Sequence, residues 1–281
     1  MFKVVGIVAR PDRRKALEYA VELMKHLEGN GLKVFLEPEL AHYADRRSEA
    51  LPLESMKVDL IITIGGDGTI LRTCLLTPKP EPPILAINMG VRGFLTEVNP
   101  KDGIEAVNKC LEGQFKLERF MKLASFIGKE RLPDALNEVF ITSRALAKTL
   151  YAKVWKNGQL VAKCRSDGIV VASQAGATGY SLSAGGPILD PDANAFVLTP
   201  VCPISAFHPI VFSAKSTVSI ELLKPKSAAV VIDGHYQTEL SIKEPRITVK
   251  KSENESTFIR LKSDFYRRLK GRLLFSRGKE L

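Results

Sequence analysis

The residues Gly65-Gly66-Asp67-Gly68-Thr69 follow directly on the apolar run Leu60-Ile61-Ile62-Thr63-Ile64, and this join carries the chemistry of the chain. Three glycines let the backbone turn sharply and approach a ligand closely, because they have no Cβ and tolerate positive φ. Free N–H groups at a following helix start favour an anion such as phosphate. Asp67 is the unusual element. A carboxylate in a phosphate-type loop repels phosphate unless it has a task, such as holding Mg²⁺ or accepting a proton from an attacking hydroxyl. The loop therefore points to phosphoryl transfer. The plainer reading of a lone Gly-Gly-Asp-Gly is a tight turn with Asp67 as a helix cap. Neither the GxxxxGK[ST] P-loop nor the G-x-G-x-x-G spacing is present here.

A second Gly-rich stretch runs from Asp167-Gly168 through Gly185-Gly186-Pro187. Small residues from Ala175 to Gly179 leave backbone exposed for a flat ligand. Thr178, Tyr180, Ser181 and Ser183 supply hydroxyls, and Tyr180 adds a stacking face. Apolar walls with a few placed polar groups suit a nucleoside. A plain Gly/Ser-rich connection would not be expected to cluster hydroxyls in this way. Asn137-Glu138 pairs an amide with a carboxylate, which can hold a ribose diol or an adenine edge. Arg165, two residues before Asp167, would face the same side on a strand. Asp233-Gly234 reads most simply as a turn.

The elements that must position these groups divide the chain. Strand-like runs at Lys3–Ala9, Lys33–Leu36, Leu60–Ile64 and Ile84–Asn88 alternate with helical patterns. Leu17, Ala20, Val21, Met24 and Leu27 share one face of a helix over Arg14–Glu28. Thr69 is placed to cap a helix beginning at Ile70. This βαβ rhythm predicts a Rossmann-like parallel sheet, with ligands beyond the carboxyl ends of its strands. From about residue 116 the runs become short and β-rich. A mostly β region, a β-sandwich, is expected there, with an Asn157-Gly158 hairpin turn. The expected division is an α/β domain over 1–115, an all-β domain over 116–255, and a segment over 256–281 that packs back on the first domain.

The chain has 281 residues, 45% of them hydrophobic, which suffices for a large core. No stretch approaches the ~20 apolar residues that span a bilayer, and the N-terminus reads as a strand, so a cytoplasmic protein without membrane contact is expected. Cys74, Cys110, Cys164 and Cys202 form no CxxC and read as buried free thiols; the four histidines show no HExxH. Net charge is +10, which suits nucleotides and polyphosphate. The basic C-terminal end, Arg260 to Arg277, has no accompanying nucleic-acid motif and reads as a solvated face or a subunit contact.

Together these loci resemble the NAD kinase family. The match is the ordered set Gly65–Thr69, then Asn88-Met89-Gly90-Val91-Arg92-Gly93-Phe94-Leu95, then Asn137-Glu138, then Asp167-Gly168 through Gly185-Gly186-Pro187, then Asp233-Gly234. It spans nearly the whole chain. Gly-Gly-Asp-Gly-Thr alone is shared with diacylglycerol, sphingosine and phosphofructokinases; the long second element is far more specific. The resemblance implies phosphorylation of the adenosine-side 2′-hydroxyl of NAD to NADP, with ATP or inorganic polyphosphate as donor and a divalent metal, Mg²⁺. It implies Asp67 as base or electrostatic activator. Gly65, Gly66, Gly68, Thr69 and Arg72 would line NAD and the donor phosphates. Asn137, Glu138, Lys148, Arg165, Asp167, Ala175 and the run Thr178-Gly179-Tyr180-Ser181-Leu182-Ser183 would contact the dinucleotide, with Gln237 as a late contact. A homodimer or homotetramer assembled through the β domain is implied as well. The metal ligands stay open. Arg92, Gly179 and Ile204 depart from the family pattern. The alternatives are a lipid or sugar kinase of the same superfamily, or a non-catalytic NAD-binding sensor.

Overall fold

The computed structural model describes residues 2–90, 93–145, 147–204, 206–261 and 265–274. It divides into two compact units, Met1–Arg119 with Ser256–Leu281, and Phe120–Glu255.

The first unit is the expected α/β fold. Its strands are β1 (Val4–Ala9), β2 (Lys33–Leu36), β3 (Leu60–Gly65) and β4 (Ile84–Asn88). All pair in parallel in the order β2-β1-β3-β4. The end of the long strand Arg246–Arg260 lies parallel to β4, with Phe258 opposite Ile84. Every residue of β3 is buried, as its unbroken apolar run demands of a central strand. Helices α1 (Arg14–Gly29), α2 (Pro38–Tyr43), α3 (Asp67–Leu76) and α4 (Gly103–Leu111) belong to the unit, as does a C-terminal helix, Phe265–Leu274. Leu17, Ala20, Leu23, Met24 and Leu27 of α1 pack with Val5, Ile7, Ile62 and Ile64 in one apolar core.

This strand order creates a topological switch point. From β1 the chain crosses to β2 on one side and returns to β3 on the other. The carboxyl ends of β1 and β3 therefore diverge into a crevice, the usual ligand position in such sheets. The Gly-rich loop leaves from the end of β3.

The second unit holds two antiparallel sheets. Six strands lie in the order Ile210–Ser213, Ala195–Val201, Gly168–Ala172, Glu138–Ser143, Ser227–Ile232, Tyr236–Ser241. Strands Gln159–Ser166, Leu150–Lys156 and Val218–Lys224 join the first part of Arg246–Arg260 in the other. The Asn157-Gly158 hairpin is present, with φ of 50° and 82°, the left-handed pair that its turn type requires.

Three local expectations are corrected. Helix α3 starts at Asp67 with Gly66 as its N-cap, so Thr69 lies inside the helix and is no cap. Asp67 therefore occupies the first helical position, and no side-chain hydrogen bond caps this end. Arg165 and Asp167 do not share a strand face: the strand ends at Ser166, Asp167 forms a bend, and Gly168 opens the next strand. Cys74, Cys110 and Cys164 are buried, but Cys202 is exposed. Among the described residues no helix is long and apolar enough to cross a membrane.

Candidate active site

In the first unit the glycine loop is held from both sides. A Cβ on Gly65 would collide with the Thr69 side chain, so the turn closes onto the first turn of α3 only with glycine at this position. The Met89 N–H donates to the Gly65 carbonyl at 2.9 Å. Asp67 is gripped by a distant segment. The Phe94 N–H donates to one carboxylate oxygen at 2.9 Å and the Leu95 N–H to the other at 3.0 Å. A carboxylate has about four lone-pair sites, so each Asp67 oxygen keeps capacity for a further donor.

The Leu95 segment is anchored in turn. The buried Arg260 guanidinium donates to the Leu95 carbonyl at 2.9 Å and pairs with Glu97 at 3.2 Å and with Glu118. Arg268 also faces Glu118, at 3.5 Å. Part of the basic C-terminal run thus has acidic partners inside its own unit. Arg92, singled out as a departure, lies outside the described residues.

Arg72 sits on α3 and forms a two-pronged ion pair with Glu37, which follows β2. Its Nη2 lies 2.7 Å from Glu37 Oε2, and Glu37 is only 6% exposed. The guanidinium ties α3 to the end of β2, a contact that sequence pattern did not reveal. Gly68 is exposed at the start of the helix.

In the second unit Asn137 and Glu138 open the strand Glu138–Ser143. Their backbone is organised by Asp233, which sequence reading treated as a turn residue. The Asp233 carboxylate accepts the N–H groups of Leu136 at 2.7 Å and of Asn137 and Glu138 at 2.9 Å each. Asp233 is buried and adopts a left-handed φ of 49°, a conformation that Asp tolerates better than most residues. Ser173 bonds the Leu136 carbonyl from the other side, and a Cβ on Gly176 would overlap the Asn137 carbonyl. The Gly-rich loop thus packs directly on the Asn137-Glu138 backbone.

Asn137 Oδ1 and Glu138 Oε2 are buried and have no hydrogen-bond partner. Buried oxygens of this kind are costly unless water or a ligand pairs with them. The four hydroxyls nearby divide. Thr178 donates to the Ala175 carbonyl at 2.8 Å, and Ser181 pairs with Thr199 at 2.8 Å, both buried. Tyr180 and Ser183 are exposed, and the Tyr180 ring stands edge-on to Phe140 at 5.1 Å. Ala175 is buried, Leu182 half-buried, and Gly179 lies close to Glu138 Oε2.

Both buried carboxyls are pushed up. Burial raises the Asp233 carboxyl, against the three N–H donors and the buried Lys122, which act to lower it. Glu138 has no such donors at Oε2. Burial, then the negative charge of Asp233, push it up to about 8. Its folded-state value lies above its ordinary 4.5. The stability associated with its proton is therefore full below about 4.5 and drains away as pH rises to about 8, by at most about 1.4 kcal/mol per unit. Melting curves from pH 4 to 9 should show the wild type losing stability relative to Glu138→Gln across that window and no further above it. Parallel curves for the two proteins would mean that Glu138 titrates normally.

Lys148 and Arg165 line a cavity of about 910 Å³. Asp167 and Gln237 are exposed. No three Asp, Glu, His or Cys side chains converge as a metal cluster among the described residues. At the glycine loop Asp67 supplies a carboxylate that a divalent ion could use.

A parallel sheet with an acid-bearing glycine loop at its switch point is the architecture of a phosphotransferase-type nucleotide domain. The ATP-NAD kinase N-terminal domain model matches residues 5–115 and the C-terminal domain model residues 136–261. An NAD kinase from Methanothermobacter thermautotrophicus is 40% identical over 273 residues, covering 96% of each chain. A bifunctional NADP phosphatase/NAD kinase from Methanococcus maripaludis is 38% identical over 94% of this chain and 48% of its own length. Among solved structures, an NAD kinase from Archaeoglobus fulgidus in complex with ATP superposes with a TM-score of 0.78 at 29% identity, covering 96% of this chain and 98% of the other. Yeast NADH kinase complexed with NADH shares the fold, with a TM-score of 0.87 at 23% identity over 99% of this chain and 89% of its own. The chain belongs to the NAD kinase family and is an enzyme of that family.

Proposed function

We propose that this enzyme transfers the terminal phosphoryl group of ATP, or of inorganic polyphosphate, to the adenosine-ribose 2′-hydroxyl of NAD, giving NADP. The observation that carries the reading is the Asp67 carboxylate. It stands at the first position of α3, held by the Phe94 and Leu95 N–H groups with lone pairs to spare. In phosphoryl transfer the protein has little covalent work to do; positioning and charge stabilisation dominate. A bond forms between the 2′-oxygen and the transferred phosphorus, and the bond from that phosphorus to the leaving phosphate oxygen breaks. Asp67 orients the hydroxyl and receives its proton. The N-terminal end of α3 favours the donor phosphates.

Mg²⁺ fits this donor set, since it is commonly held by one or two carboxylates together with substrate phosphates. Asp67 would be its protein ligand, and the ion would neutralise charge on the donor. Asn137 and Glu138, with their unpaired oxygens, are the proposed nucleoside contacts of the second unit. Tyr180 offers the proposed stacking face. Residence in the cytoplasm and assembly as a homodimer or homotetramer belong to the same reading.

The test is NADP formation from NAD, Mg²⁺ and either ATP or polyphosphate, read by an NADP-specific dehydrogenase. Turnover with one donor and not the other identifies the donor. Absence of turnover with both, while NAD still binds, would reject the catalytic assignment.

A further inference from the structure

The two N–H groups that grip Asp67 belong to Phe94 and Leu95, and the segment carrying them is secured at both ends. Beyond Leu95 it is fastened to the parallel sheet: the Glu97 N–H donates to the Ala86 carbonyl and the Asn88 N–H to the Val98 carbonyl, both at 2.8 Å. Before Phe94 it closes on Asp67 itself, since a Cβ on Gly93 would stand 3.1 Å from Asp67 Oδ1. Phe94 and Leu95 lie between these points, and three residues from the end of the chain reach them. Arg260, the last residue of the strand Arg246–Arg260, donates from Nη1 to the Leu95 carbonyl at 2.9 Å, across 165 positions of sequence. Phe265 opens the helix Phe265–Leu274 and stands edge-on to the Phe94 ring, with centroids 5.3 Å apart. The Arg268 guanidinium lies over that same ring, 5.8 Å from its centroid. All of these residues fall within the first unit.

The Arg260 guanidinium is itself fixed. It is only 2% exposed, Nη1 also lies 3.2 Å from Glu97 Oε2, and Nε bonds Glu118. Glu97 is held in turn, because its Oε1 accepts the Leu261 N–H at 2.8 Å. A planar guanidinium presents its donors in a rigid fork, which a flexible ammonium does not reproduce. The backbone then carries this restraint to Asp67. The Leu95 N–H and the Leu95 carbonyl lie in successive planar peptide units. Only φ and ψ of Leu95 therefore separate the carbonyl that Arg260 holds from the amide that Asp67 accepts.

We propose that Arg260 is a positioning residue for Asp67. With Phe265 and Arg268 it clasps the Phe94-Leu95 segment, and that segment sets the direction in which the Asp67 carboxylate meets the attacking hydroxyl. Arg260 is buried and acts through the backbone of Leu95, not on the substrate. The inference rests on the role given to Asp67 under the proposed function. A misplacement of about 1 Å at a reacting group can cost on the order of a hundredfold in rate. Loosening the clasp should thus appear in kcat while NAD binding persists.

The experiment places Arg260→Lys, which keeps the charge and loses the fork, in the wild type and in Asp67→Asn. NADP formation gives kcat and KM for NAD, and melting curves set a temperature at which every protein is folded. In the wild-type background kcat should fall about tenfold or more, with KM for NAD within about twofold. In Asp67→Asn the same substitution should lower kcat by less than about threefold, because the group it positions has already lost its charge. Equal fold-losses in the two backgrounds make Arg260 a structural support only and overturn the proposal, as does an unchanged kcat in the first. Phe265→Leu keeps a buried apolar side chain and the ion pairs, and replaces Arg260→Lys should that variant not fold. It is expected to give the same unequal losses, and equal losses overturn the proposal there too. Hydrogen exchange of the Leu95 N–H, followed in protein labelled at leucine nitrogen and assigned with Leu95→Ile, reads the clasp without turnover. Exchange should be about tenfold faster in Arg260→Lys, as loosening of this one hydrogen bond implies; unchanged exchange overturns the proposal. A wild type that makes no NADP defeats the kinase reading, and the exchange rates alone then decide whether Arg260 sets the Asp67 brace.

Discussion

NADP formation by an Asp67→Asn variant is expected to fall by about 10²–10⁴-fold, the range for loss of a positioned general base. The substitution keeps the shape of the side chain and removes its charge. It also places an amide NH₂ against one of two N–H donors, from Phe94 or Leu95, which approach the carboxylate at 2.9 Å and 3.0 Å. One hydrogen bond is lost and one donor faces another, at a cost of about 1–3 kcal/mol. Turnover and stability must therefore be measured together. Asp67→Ala is the companion variant, since it removes both brace and charge. A kcat reduced by two orders of magnitude or more in both variants, with a KM for NAD near that of the wild type, supports a direct role in the reaction. Wild-type turnover in Asp67→Asn would reduce Asp67 to a brace for the Phe94-Leu95 segment.

The second large effect is expected at Asp233, a residue that touches no ligand in this reading. Asp233→Ala leaves three consecutive buried N–H groups, those of Leu136, Asn137 and Glu138, without their acceptor. It also places a Cβ-bearing residue with no compensating hydrogen bond at φ 49°. Together these changes should cost on the order of 3–5 kcal/mol, among the larger effects of single substitutions. Asp233→Asn should be milder. Asn tolerates the left-handed conformation, and its carbonyl oxygen can keep the Asn137 and Glu138 N–H groups that now share one Asp233 oxygen. Removing the charge of Asp233 also removes the second cause that raises Glu138. The stability loss on raising pH should accordingly shrink in Asp233→Asn. Chemical denaturation at pH 6 and pH 8 measures both effects. An Asp233→Ala protein within 0.5 kcal/mol of wild type, the usual scatter of surface substitutions, would show that the Asn137-Glu138 segment is held by other means.

The contrast between these two aspartates shows what could be read from the chain. Asp67 was legible because its neighbours are contiguous: a buried strand, three glycines and a helix start leave few explanations for an acid among them. Asp233 was read as half of a turn, which it also is, joining the strands Ser227–Ile232 and Tyr236–Ser241. Its second role depends on residues 95 to 97 positions away. Thr69 fits the pattern because Thr is a common cap, but the cap lies three residues earlier, at Gly66; the close approach between Gly65 and the Thr69 side chain uses Thr69 within the first turn instead. The strands Gln159–Ser166, Ala195–Val201, Ile210–Ser213 and Tyr236–Ser241 escaped the sequence reading. Gln159–Ser166 is largely exposed and Tyr236–Ser241 half open to solvent, so neither presents the apolar run that marks a strand, while Ile210–Ser213 is only four residues long.

Lys148 and Arg165 illustrate a different limit of linear reasoning. The strand pairing sets Arg165 opposite Tyr151, which faces Lys224 on its other side, and Lys148 lines the same cavity, neighbours that the linear sequence does not display. The Glu37 partner of Arg72, 35 residues earlier, was likewise invisible in the pattern around the glycine loop. Local chemistry was thus determined by the sequence itself: the glycine turn, the amphipathic α1, the Asn-Gly hairpin and the acid in the phosphate loop each follow from steric and periodic rules acting over a few residues. Tertiary structure alone decided which oxygens are braced, which are left unpaired and which cations share a cavity. Those outcomes depend on hydrogen bonds, burial and like charges brought together across tens of residues, and only the folded chain sets the distances on which such interactions depend.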